Sequence, residues 1–106
     1  MKTVAMVLFP DFLLLDMAGP LEVFSVANRY LKPDAHYQLI TLGTEEGPLR
    51  ASNGVMVQAD RIIGDDTERY DLLLVPGGPG AYNQQFPSLF AWLKDAVRRV
   101  EYFGSI

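Results

Sequence analysis

The chain reads as short apolar runs separated by segments in which apolar residues recur every three or four positions. Val4 to Phe9 is a nearly continuous apolar run stopped by Pro10; without alternation, it predicts a strand buried on both faces. Phe12 to Leu15 is again apolar and closes on Asp16. Gly19-Pro20 then opens a helix, because a proline at the first helical position gives up an N–H that has no partner there. Val23, Phe24, Ala27, Tyr30 and Leu31 follow at helical spacing and predict one broad apolar face, ended by Lys32-Pro33-Asp34. His36 to Leu42 alternates polar and apolar residues and predicts a second strand. After the polar turn Gly43 to Gly47, Asn53-Gly54 lies between short strand-like pieces from Arg50 to Val57, a hairpin signal. Asp60 to Arg69 is polar and irregular, with room for a single helical turn. Tyr70 to Pro76 predicts another buried strand, followed at once by Gly77-Gly78-Pro79-Gly80. Pro87 begins the next helix, with Leu89, Leu93, Ala96, Val97 and Val100 on one face and Arg98-Arg99 near its C-terminal end, where positive charge suits the dipole. Glu101 to Ile106 predicts a fourth buried strand.

This order (strand, helix, strand, hairpin, strand, helix, strand) is that of an α/β open sheet, mostly parallel, with helices on both faces. Ligands of such sheets sit outside the carboxyl ends of the strands. The places to search are therefore Phe9-Pro10 and the residues after it, Pro76 to Gly80, and the end of the last strand. With 106 residues the chain forms one domain at most.

Charge narrows the partners. Thirteen acidic residues against nine basic ones give a net charge of −4, which gains nothing from displacing counterions on nucleic acid. DNA contact, if any, belongs to a domain outside this chain. No run approaches the ~20 apolar residues that span a bilayer, and Pro10-Asp11 cuts the first apolar run too short for a leader peptide. A cytoplasmic protein is expected. There is no cysteine, so these residues hold no disulfide, thiolate metal site or thiol nucleophile. The lone His36 makes a poor metal site, and no metal or cofactor is expected.

Two local features carry candidate chemistry. Gly77-Gly78 after a buried strand lets the backbone approach a ligand closely and turn N–H groups toward an anion or oxyanion; the same residues also suit a plain tight turn. With the helix placed only after Pro87, neither a dinucleotide fingerprint nor a P-loop is present. Asp16, after three leucines, is expected to be partly buried, which favours its protonated form; a helix cap or solvated turn acid is the other reading. Glu22 is placed in the first helical turn, where an acid helps the dipole. Asn83-Gln84-Gln85 offers polar contacts, and Trp92 is expected in the core.

Three segments together resemble the ThiJ/PfpI family of the class I glutamine-amidotransferase-like fold. They are Val7-Leu8-Phe9-Pro10-Asp11-Phe12, the run from Leu15-Asp16 through Gly19-Pro20-Leu21-Glu22-Val23-Phe24, and Asp71 to Gly80. The second segment, with Arg50-Ala51-Ser52-Asn53-Gly54, is most similar to the N-terminal domains of AraC-type transcriptional regulators, and isocyanide hydratases share much of it. The resemblance implies a flavodoxin-like three-layer fold of which residues 1–106 are the N-terminal part, ending just before the family's cysteine at its strand-to-helix elbow. It also implies that Asp16 is the acid that pairs with that cysteine, and that the Gly78 N–H is half of an oxyanion hole. Ligand contacts are expected at Asp16, Gly77, Gly78 and Pro79. The function implied is a small-molecule-sensing, homodimeric regulator domain; the alternative is a cysteine-dependent isocyanide hydratase or amide hydrolase.

Overall fold

The computed structural model describes residues 1–64, 69–83 and 87–106. Its strands are β1 (Lys2–Leu8), β2 (Tyr37–Gly43), β3 (Leu49–Arg50), β4 (Met56–Val57), β5 (Arg61–Ile62), β6 (Tyr70–Val75) and β7 (Val100–Ser105). Its helices are α1 (Leu14–Asn28), α2 (Pro79–Asn83) and α3 (Pro87–Ala96), with a 3₁₀ turn at Pro33–Ala35. Five strands form one parallel sheet in the order β5-β2-β1-β6-β7, and β3 and β4 form an antiparallel hairpin apart from it.

β1 lies at the centre. Val4 to Phe9 are all buried, as an unbroken apolar run requires when both sheet faces are covered. Its neighbours align Val4 with Leu39 on one side and with Leu72 on the other. From β1 the chain crosses through α1 to β2, and from β6 it crosses through α3 to β7 on the opposite flank. Two right-handed crossovers running in opposite directions put their helices on opposite faces. The reversal falls between β1 and β6, and in open sheets of this kind ligands sit there, outside the carboxyl ends of the strands.

α1 begins earlier and ends earlier than its sequence signals indicate. It starts at Leu14, so Pro20 lies inside it and Glu22 sits past its middle rather than in a first turn. Leu14, Met17 and Leu21 pack on the core, and the Phe24 ring meets Tyr37 edge to face at 4.8 Å. Each such apolar side chain contributes on the order of 1.5–3 kcal/mol when fully buried. Partial burial of four offsets the ~3 kcal/mol cost of an interior proline. The helix stops at Asn28, whose side-chain amide donates to the Tyr37 carbonyl (3.0 Å) while its Oδ1 accepts the Tyr37 N–H (2.7 Å). Asn28 thereby fastens the end of α1 to the start of β2. The expected apolar face is split: Phe24 and Ala27 turn partly inward, but Val23 and Tyr30 are 68% and 85% exposed.

Four other expectations change. Part of Asp60 to Arg69 is ordered as β5, held beside β2 where Asp60 Oδ2 accepts the Thr41 N–H (2.9 Å) and Oγ1–H (3.1 Å); residues 65–68 lie outside the described residues. A helical turn, α2, follows Gly77-Gly78 directly instead of waiting for Pro87. The last strand is not buried: Tyr102 and Phe103 of β7 are about half exposed or more, and among the described residues β7 is an edge strand beside β6. On α3, Leu89, Trp92 and Ala96 are buried, while Val97 falls outside the helix and is exposed. Among the described residues, no helix is long and apolar enough to cross a membrane.

Candidate functional site

The crevice is built mainly by three segments. The turn after β1 places Asp11 in the left-handed region (φ +63°), a conformation that Asp tolerates better than most residues. The turn folds back with the Phe12 N–H on the Phe9 carbonyl (3.1 Å) and drops Phe12 fully into the core. The segment after β6 lies against it. Leu13 N–H donates to the Gly77 carbonyl (2.8 Å), and Gly80 N–H to the Asp11 carbonyl (3.2 Å). The hairpin β3–β4 supports the same turn: Asp11 N–H donates to the Arg50 carbonyl (2.9 Å) and Ser52 N–H to the Phe12 carbonyl (2.8 Å). These bonds join the Arg50-to-Gly54 segment and the Pro10-Asp11-Phe12 turn into one unit.

Glycines make the approach possible. A Cβ on Gly78 (φ +130°) would lie 2.7 Å from the Asp11 carbonyl oxygen and 2.7 Å from the Leu13 nitrogen. A Cβ on Gly80 would overlap the Pro10 carbonyl. These are close backbone crossings that only glycine accommodates.

Asp16, in the first turn of α1, is half-buried, and its Oδ2 accepts the Gly77 N–H at 3.0 Å. The last strand reaches the same point. Ile106 N–H donates to the Val75 carbonyl (3.1 Å), and the Ile106 carbonyl lies 3.2 Å from where a Gly77 Cβ would stand. The Gly78 carbonyl is used within α2, accepting the Ala81 N–H (3.0 Å). The Gly78 N–H donates to no acceptor among the described residues. The strand ends thus hold one carboxylate, committed on one oxygen, and next in sequence to its donor a glycine N–H with no acceptor among the described residues. Pro79 opens α2 at the rim and is exposed.

The structure therefore brings together Asp16, Gly77 and Gly78, with Pro79 adjoining. It does not bring in His36, whose Nε2–H donates to the Leu31 carbonyl (2.9 Å) and so serves the chain leaving α1. Glu22 is exposed on α1, away from the first turn. Gln84 and Gln85 lie outside the described residues. Sequence reasoning missed Asp11, whose backbone joins all three segments; its available signal was an Asp after proline at the end of a buried strand.

Residues 2–106 match the DJ-1/PfpI family. The chain is 39% identical over 104 residues to a protein of the cpoL 5′ region of Streptomyces lividans, covering 97% of this chain and 71% of that one. It is 31% identical over 99 residues to the HTH-type transcriptional regulator CdhR of Pseudomonas aeruginosa, covering 93% of this chain and 29% of the regulator. Among solved structures, an AraC family transcriptional regulator from Pseudomonas putida superposes with a TM-score of 0.81 at 20% identity, over 99% of this chain and 64% of that one. Oxidised DJ-1 of Toxoplasma gondii superposes with a TM-score of 0.77 at 20% identity, over 99% and 55%. The chain spans less than two thirds of both structures and under a third of CdhR.

Proposed function

The chain belongs to the DJ-1/PfpI family, and from that premise we propose that it is the ligand-sensing, dimerising N-terminal part of an AraC-type transcriptional regulator. The observation that carries this reading is the 31% identity to a helix-turn-helix regulator across 93% of the chain. Residues 1–106 would form the N-terminal part of one cytoplasmic ligand-binding domain. In this reading a small molecule enters the crevice between β1 and β6, where it accepts the Gly78 N–H and approaches the Asp16 carboxylate and Pro79. The homodimer is supported by α1 and the turn after it: Leu15, Val23 and Val26 on the outer side of the helix and Tyr30 just past its end are 74%, 68%, 38% and 85% exposed. Solvent exposure of that much apolar surface on one helix suits a contact with a second copy. The net charge of −4 supports a reading in which DNA contact belongs to another domain of the regulator.

A second reading has its own support. A carboxylate held on a glycine N–H just after β6, where the end of β7 also arrives, also suits cysteine-dependent hydration of an isocyanide or hydrolysis of an amide. Asp16 would position the thiol or take up its proton, the resulting thiolate would attack the electrophilic carbon, and the Gly78 N–H would hold the developing negative charge. That chemistry needs a thiol, and none of the 106 residues is cysteine. Sequencing the reading frame past the codon for Ile106 separates the two. A helix-turn-helix pair downstream supports the regulator. A cysteine followed by an end soon after the family domain supports the enzyme and overturns the regulator.

A further inference from the structure

At the opposite end of the sheet from the crevice, a cleft of about 270 Å³ is lined by Arg69, Tyr70, Asp71, Arg98, Arg99 and Val100, with Glu101 at its side. We propose that this cleft is a binding site for a small phosphate-class dianion, separate from the crevice between β1 and β6. Tyr70 and Val100 are the first residues of β6 and β7 and stand opposite each other in register. Arg69 therefore enters just before one strand, and Arg98 and Arg99 enter from the turn between α3 and the other. Topology brings together guidinium-bearing residues that lie about thirty positions apart in the sequence.

The charges do not cancel within the cleft. Three of the nine basic residues of an acidic chain gather here against two carboxylates. Both carboxylates already have partners on the β1 side: Asp71 Oδ2 accepts the Thr3 N–H (2.7 Å), and Glu101 pairs with Lys2 (3.5 Å). Arg99 Nε pairs with Asp95 Oδ2 (3.3 Å) and forms a wall. Arg69 and Arg98 are exposed and make no ion pair among the described residues. Guanidinium groups present forks that match tetrahedral oxoanions, and with Glu101 paired to Lys2 and Arg99 to Asp95, Arg69 and Arg98 outweigh Asp71 and leave the cleft net positive. The cleft is slightly smaller than a drug-sized pocket, which suits a phosphate or a compact phosphorylated metabolite. A long polyanion is disfavoured by the net charge of −4.

Calorimetric titration of the folded chain with inorganic phosphate and with pyrophosphate, at constant ionic strength in chloride, tests this. Saturable one-to-one binding is expected. The R69Q/R98Q double variant should weaken it at least tenfold, while R69K/R98K, which keeps charge and loses the forks, should weaken it less. Both positions are exposed, and far-UV circular dichroism checks that the variants fold. R29Q/K32Q removes the same charge elsewhere and should leave the affinity within twofold. Absence of saturable binding, or equal weakening by R69Q/R98Q and R29Q/K32Q, overturns the proposal, as does binding of duplex DNA without binding of phosphate.

Discussion

At Gly78 a methyl group would press on the Asp11 carbonyl and the Leu13 nitrogen, on a backbone with φ of +130°. Gly78→Ala should lower stability by about 1–3 kcal/mol from backbone strain alone, read as a lower urea midpoint. Asn28→Ala should cost about 1–3 kcal/mol, because two backbone groups of Tyr37 lose their partner where α1 meets β2. Asp16→Ala frees the Gly77 N–H, and on the regulator reading it should abolish the ligand-induced rise in Tm while the fold persists. A ligand-induced rise unchanged in that variant removes Asp16 from the site. Asp16 and Gly77-Gly78 were legible in the sequence because a carboxylate after leucines and paired glycines after a strand are local signals. Asp11 and Asn28 were not, because each acts through backbone groups of residues far along the chain.

Among the elements, α1 departs most from its sequence signals. Gly19-Pro20 is a good helix start in isolation, yet the helix begins at Leu14 because Leu14, Met17 and Leu21 have a core to pack against. Tertiary burial overrides the local cue. Pro20 still lacks the N–H that would bond the Asp16 carbonyl, so Pro20→Ala should stabilise the protein by about 1–3 kcal/mol, seen as a higher urea midpoint at unchanged m-value. The strands β1, β2 and β6 were readable because apolar runs and alternation carry their own period. β5 was not: it is two residues long and exists through the Asp60–Thr41 clamp, which no sequence pattern encodes. β7 was legible as a strand but not as an exposed one, since exposure depends on which strand neighbours it.

For the whole molecule, a mostly parallel open sheet with helices on both faces was legible in the alternation of strands and helices, and the family likeness confirms the fold; the strand order, with its reversal between β1 and β6, was not, because it depends on which strands pair. The dimer reading is tested at this scale. Leu15→Glu with Val23→Glu places two carboxylates on the outer side of α1 without touching its core-facing residues, and sedimentation should report monomers where the parent sediments as a dimer. A parent that sediments as a monomer at every concentration removes the dimer from the proposal. The central position of β1 has a consequence in time. Its partners on the two sides, Leu39 and Leu72, lie far along the chain from Val4, so during synthesis this apolar segment waits for both. At a translation rate of roughly 5–20 residues per second, the second neighbour emerges roughly 3–14 s after the first strand. Throughout that interval Val4 to Phe9 is an uncovered apolar ribbon on a growing polypeptide, the segment of the nascent chain most in need of a ribosome-associated chaperone.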